Sequence, residues 1–268
     1  MTVLEDTLRA NANEVFWERL SAERLRYLAE RDAIVLVPIG STEQHGPHLP
    51  TGVDSILSTE VCRRTAELVA KQQPIVVAPT VWCGLADHHV SFGGTFSLRL
   101  STFHALLHDL CRSILTAGFR RIVLVNGHGG NMAGLSALQQ ELTRELGIPV
   151  ATTTYFMECL PEIAAVLDDQ NCIMHACEGE TSMMMAIASE FVDRTRLDEA
   201  TGPHFDIVGS LRPSLKRSRS FHDVTSSGVA GVARRASGAK GLAILGAAAS
   251  TLARKLVSGE PWRTSATE

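Results

Sequence analysis

Between Ala33 and Asp54 the chain reads AIVLVPIGSTEQHGPHLPTGVD, which places Glu43, His45, His48 and Asp54 within one short stretch. Carboxylates and imidazoles are the side chains that ligate Zn, Mn or Fe(II), and they also move protons near neutral pH. Glu43 and His45 stand two apart, so on extended backbone they face the same side and can converge on one ion. Gly46, Pro47, Pro50 and Gly52 stiffen the loop, which a freely solvated connection would not need. The pattern therefore points to a metal or catalytic site. Asp54 has a second reading as the cap of a following helix.

Two later segments carry the same residue types. NGHGGN, Asn126 to Asn131, sets His128 just past an apolar run. As a glycine-rich turn it has a second reading, a phosphate cradle in a flavodoxin-like domain. It lacks the Lys-Ser/Thr of a phosphate loop and the spacing of a dinucleotide fingerprint, so a metal loop is the better reading. HACEGETS, His175 to Ser182, brings His175, Glu178 and Glu180 together at the start of a helix. Glu178 and Glu180 lie about 200° apart around a helix of 3.6 residues per turn, so only one of them points inward. His88 and His89 occupy a long loop, Thr80 to Arg99, as pocket wall, second shell or surface residues. His104 and His108 stand four apart on a helix without the acid of an HExxH motif and read as helix-surface residues.

Buried-strand patterns run from Ala33 to Ile39, Pro74 to Pro79, Arg121 to Val125 and Ile148 to Thr154. Helical spacing fills 13–30, 56–71, 101–118, 132–146, 178–189 and 239–257, with Ser101 or Thr102 as the cap of the third. Residues 155–172 are irregular and 198–238 read mainly as loop. Strands alternating with helices predict an α/β fold, a three-layer α/β/α sandwich with a mainly parallel central sheet. Nothing in 33–190 reads as a linker, so residues 1–268 are expected to form a single domain.

In their order and wording, STEQHGPHLPTGVD, NGHGGN and HACEGETS resemble the signatures of the creatininase family of metal-dependent amidohydrolases, over roughly residues 33 to 190. The resemblance implies two divalent ions (Zn, Mn or Fe). Glu43, Asp54 and His128 would hold one ion, and His45 with a shared Asp54 the other. Creatininase itself carries a glutamate ligand where this chain has Gly130. Glu180 is expected to replace it, with Glu178 in reserve. His175 and Glu178 are the expected catalytic pair, His175 passing a proton to the leaving nitrogen. The implied reaction is cleavage of a C–N bond in a small amide, cyclic amide or formamide by a metal-bridged hydroxide. Other branches of the family trim a short modified peptide or deformylate a formamidopyrimidine nucleotide. The positions of the substrate-ring aromatics fall at Phe156 and Asn171, neither of them Trp, which argues against creatinine. The family also implies a homo-oligomer, possibly a hexamer.

A net charge of −4 and scattered basic residues, with only Lys216–Arg219 and Arg234–Arg235 clustered, argue against nucleic-acid binding. Six cysteines without CxxC pairing suit a reducing cytoplasm. The first residues lack the basic and apolar regions of a secretory signal. The longest apolar run, Leu242 to Ala253, is too short to cross a bilayer, so no membrane partner is expected.

Overall fold

Every residue of the strand Ile34–Ile39 (β1) is buried, and its side chains alternate between two separate cores. Ile34 and Leu36 pack against one layer of helices; Val35, Val37 and Ile39 pack against the other. A strand that is apolar throughout requires helices on both faces. The structure, a computed structural model, describes residues 14–204, 215 and 217–263. The amino-terminal stretch read for a leader, Lys216 of the basic run and part of the 198–238 loop lie outside the described residues.

β1 is joined by β2 (Ile75–Val77), β3 (Arg121–Asn126) and β4 (Val150–Thr154) in the order β2-β1-β3-β4, with every pairing parallel. Register places Ile39 opposite Asn126, and Asn126 opposite Thr154, so the carboxyl ends of β1, β3 and β4 are level. One layer holds α1 (Ala22–Ala29), α3 (Leu100–Thr116) and α4 (Met132–Leu146). The other holds α2 (Val53–Val69), α5 (Leu160–Val166), α6 (Glu178–Ile187) and α7 (Gly238–Val257). The expected three-layer α/β/α arrangement is therefore present.

β1 feeds α2 on one face of the sheet and its neighbour β3 feeds α4 on the other. The loops leaving these two strands diverge and open a crevice at their carboxyl ends, the place where parallel sheets bind ligands. Two details depart from sequence expectation. Residues 160–166, read as irregular, form α5 with Pro161 in its first turn. α3 starts at Leu100, and neither Ser101 nor Thr102 caps it; its N-cap is Arg99.

Candidate metal centre

The loop after β1 is pressed against the start of α2. A Cβ on Gly40 would lie 2.5 Å from the backbone nitrogen of Ser55, so a side chain there would push the two apart. α2 begins at Val53 with Gly52 as N-cap and no side-chain cap. Asp54 is thus not the cap that sequence allowed, and its carboxylate is directed to the crevice. Glu43 is fixed by its own N–H donating to Thr51 O (2.9 Å), and the loop is stitched to residues 95–96 by Phe96 N–H to Thr42 O (2.9 Å) and Gln44 N–H to Thr95 Oγ1 (3.1 Å). From β3, Asn126 donates to His128 O (2.8 Å) and Thr154 Oγ1 (3.0 Å). Asn131 donates to Gly40 O (3.1 Å) and accepts from Leu85 N–H (2.8 Å). Two amides therefore lock three loops around His128.

Glu43, Asp54 and His128 form one potential ligand group, and His45, Asp54 and Glu180 a second; within each, one ligand atom per residue lies within 4.8 Å of the others. Asp54 belongs to both, presenting Oδ2 to His128 Nδ1 (3.2 Å) and Oδ1 to His45 Nε2 (3.3 Å). His128 Nδ1 also lies 3.2 Å from Glu43 Oε1, and His45 Nε2 lies 3.9 Å from Glu180 Oε2. His175 Nδ1 stands 3.5 Å from Glu43 Oε1, completing a third grouping with Glu43 and His45. The structure thus brings Glu43, His45, Asp54, His128, His175 and Glu180 together.

The tautomers are set by backbone carbonyls, which only accept. His45 Nδ1 is 3.1 Å from Glu43 O, His128 Nε2 is 3.2 Å from Leu85 O, and His175 Nε2 is 2.7 Å from Gln44 O. Each of those nitrogens carries the hydrogen, so in the neutral ring the other nitrogen turns a lone pair toward the carboxylates. That is the arrangement of metal-ligating histidines, whose second nitrogen donates to an outer partner. Both Glu43 oxygens, Asp54 Oδ2 and His45 Nε2 are buried with no hydrogen-bond partner. Among the described residues the ion pairs of Glu43, Asp54 and Glu180 are all to histidines, with no Lys or Arg. Burying carboxylates whose only charge partners are imidazoles costs roughly several kcal/mol per ion, so this donor set calls for positive charge at its centre. The side chains fit divalent ions.

Proton affinities report the same demand. Burial lowers that of His45, yet Asp54, with Glu180 and Glu43 behind it, raises its pKa to about 9. Burial likewise opposes charge on His128, and Glu43 and Asp54 override it, raising it well above the ordinary value. Asp54 is held below the usual carboxylate range, against burial, by His45 and His128. Burial pushes Glu180 up to about 8, with His45 opposing. His175 is driven well below its ordinary value by burial and by His45, so it stays neutral.

Glu178, expected as a catalytic carboxylate, lies outside the cluster. One oxygen pairs with Lys240 Nζ, and the other accepts from the N–H groups of Asp168 (3.1 Å) and Asp169 (3.3 Å). It is wholly buried on the side of α6 away from the cluster and ties α6 to α7. His48 is also outside the cluster, its Nε2 2.7 Å from Thr181 Oγ1. His89 is buried wall, its Nδ1 2.9 Å from Gln44 Nε2 and its Nε2 3.3 Å from Glu43 Oε1, while His88 is half-buried beside it. His104 and His108 lie half-exposed on α3, facing Glu145 of α4. A Cβ on Gly130 would sit 2.4 Å from His128 Nε2, 2.5 Å from Leu85 O and 2.7 Å from His88 Cε1. A carboxylate cannot be placed at that position without displacing His128. Sequence reasoning missed Asn126, Asn131, Gln44 and Phe221. Gln44 had a signal, since it alternates with Glu43 and His45 and must face the opposite wall. The Phe221 ring lies 4.4 Å from His89 and 5.0 Å from His175, and nothing local announces it.

Comparison with known proteins agrees with this geometry. The creatininase profile, described as creatinine amidohydrolase, matches residues 18–256. A mycofactocin precursor peptide peptidase of Mycobacterium tuberculosis is 32% identical over 233 residues, 85% of this chain and 86% of that protein. Creatinine amidohydrolase of Pseudomonas putida is 31% identical over 218 residues, 72% of this chain and 79% of that protein. The crystal structure of a creatininase superposes with a TM-score of 0.79 at 26% identity, covering 93% of this chain and 99% of that one. Solved creatininases include a Mn form, a mutant of Zn–Zn type and a mutant complexed with creatine. The chain belongs to the creatininase family of metal-dependent amidohydrolases.

Proposed function

We propose that the site holds two divalent ions, Zn, Mn or Fe, one on Glu43, Asp54 and His128 and the other on His45, Asp54 and Glu180, and hydrolyses the C–N bond of a small amide, cyclic amide or formamide. The observation that carries this reading is Asp54, whose two oxygens face the two ring nitrogens from opposite ligand groups. Such ions, when bound, supply polarisation of a carbonyl and a water whose pKa falls from 15.7 to about 7. The protein's own part is orientation and proton transfer. Leu85 O and Glu43 O fix the rings of His128 and His45, and Asn131 and Asn126 hold the loops that carry them. His175, neutral and anchored through Nε2 to Gln44 O, offers Nδ1 to take a proton and return it to the leaving nitrogen. General acid–base transfer of this kind contributes about 10²–10⁴-fold. Glu178 serves as a structural tie in this reading.

Creatinine is not the favoured substrate. Phe156 is 3% exposed and packs edge-on against Tyr155 in the core, and Asn171 is at the surface, so neither walls a ring-shaped pocket. The second reading is cleavage of a short modified peptide, supported by the likeness to the mycobacterial peptidase over 85% of the chain. We further propose a single domain over residues 1–268, a homo-oligomer, possibly a hexamer, and a cytoplasmic location. No helix among the described residues is long and apolar enough to cross a membrane. The decisive experiment joins metal analysis to a panel of linear, cyclic and N-formyl amides and short peptides. Two ions per chain in the native protein, lost in Asp54→Ala together with turnover, support the reading; unchanged metal content in Asp54→Ala overturns it. A monomeric mass by light scattering at micromolar concentration would remove the oligomer proposal.

A further inference from the structure

Phe221 lies in a short turn, Phe221–Asp223, that reaches over the crevice from a part of the chain remote from all three motifs. Its ring centroid is 4.4 Å from His89, 5.0 Å from His175 and 6.4 Å from His88. The turn is fastened to the opposite lip, residues 87–92, by a hydrogen bond between Ser220 Oγ and Ser91 Oγ (2.7 Å) and by His222 against Phe92 at 5.0 Å. Further along, Gly228 O accepts from Gln44 Nε2 (3.0 Å) and Ala230 N–H donates to His175 O (2.9 Å). Phe221 is therefore held from both sides at a fixed height above His175, and it remains half-buried.

We propose that Phe221 is the specificity-determining residue of this site and that it receives a flat, apolar substituent carried on the leaving nitrogen, making N-aryl or similarly planar amides the preferred substrates. The inference rests on the reading of His175 as proton donor to that nitrogen. To be protonated, the nitrogen must come within about 2.6–3.2 Å of the imidazole. A ring bonded to it then falls where the Phe221 ring can meet it at the 4.5–7 Å centroid separation of aromatic pairs.

Three metal-chelating probes test this on the metal-loaded protein: N-phenylacetohydroxamic acid, N-methylacetohydroxamic acid, and benzohydroxamic acid, whose ring is on the acyl side. Calorimetry should show the N-phenyl compound binding about three- to tenfold more tightly than the N-methyl compound. Phe221→Ala should bring that ratio close to one, leave the N-methyl and benzohydroxamic affinities unchanged and keep the metal content. Phe221→Tyr should restore the ratio. Equal binding of the two N-substituted probes by the native protein, or a Phe221→Ala loss shared by all three, overturns the inference and leaves the hydrolase reading standing. Binding of none of the three by protein carrying its ions likewise overturns the inference.

Discussion

Replacing Glu180 by Gln removes one carboxylate and adds a donor where the site needs acceptors. In the native structure Glu180 Oε2 accepts from Ala176 N–H and faces His45 Nε2 at 3.9 Å. A Gln at 180 can satisfy Ala176 only through its carbonyl oxygen, which then faces His45 as a neutral amide, a far weaker ligand than the carboxylate. The second ion then keeps His45 and a share of Asp54, fewer than the three protein ligands a catalytic site ordinarily retains. Loss of an outer-shell partner already costs about 10–100-fold in metal affinity, so loss of a direct ligand should cost roughly 100-fold or more. Protein dialysed at a fixed free Zn or Mn concentration and analysed by plasma mass spectrometry should fall from two ions per chain to one, with nearly all turnover lost.

The neighbouring substitution supplies the contrast. Glu178→Gln leaves the cluster untouched but removes the buried one of the two carboxylates that pair with Lys240, Asp168 being the other, and the acceptor of the N–H groups of Asp168 and Asp169. Breaking a buried pair from one side costs about 3–5 kcal/mol; because Lys240 is 19% exposed, the low end, about 3, applies. At about 2–4 °C per kcal/mol for a chain of this size, Tm should drop by about 6–12 °C. Both ions should stay. If Glu178→Gln loses an ion while Glu180→Gln keeps two, the ligand assignment is reversed and the divergence of the two carboxylates on α6 has been misjudged. If neither changes the metal content, the two-ion reading fails.

Gly130→Glu, which supplies the carboxylate that the family resemblance leads one to expect at this position, should not raise metal content and should lower stability, since its Cβ would approach His128, Leu85 and His88 to 2.7 Å or closer; a gain in ion affinity by calorimetry would refute this. Asn131→Ala orphans Gly40 O and Leu85 N–H and should cost about 2–4 kcal/mol in urea unfolding while both ions remain measurable. With His45 raised to about 9, His128 raised above its ordinary value and Glu180 raised to about 8, ion-free protein carries protons on all three at pH 7. Ion binding displaces those protons, so apparent affinity should climb with pH between 7 and 9. The dependence of calorimetric heat on buffer should report about three protons released, and an affinity independent of pH between 7 and 9 would contradict the shifts.

Wherever the chain's chemistry is local, the sequence carried it. β1 is apolar end to end, and β3 is apolar between Arg121 and Asn126, because both their faces are covered, and the ligand-type residues follow where such strands stop. The pairing of Glu43 with His45 needed only the two-residue period of extended backbone, and the opposition of Glu178 to Glu180 only the helix period. What stayed hidden depends on partners far along the chain. Which of the two carboxylates turns inward is decided by Lys240, more than fifty residues on, at the start of α7; no feature of HACEGETS reveals that α7 docks there. α5 was missed because seven residues around Pro161 give too little periodicity to separate a helix from a turn. Ser101, Thr102 and Asp54 all suit a cap, and none is one, because Arg99 and Gly52 hold those positions. For Asp54 that outcome is chemically necessary. A carboxylate that caps a helix accepts backbone N–H bonds, and one that must serve two imidazole-bearing groups has no oxygen to spare. The glycine before it lets the helix start without a side-chain cap, and so frees Asp54 for the crevice.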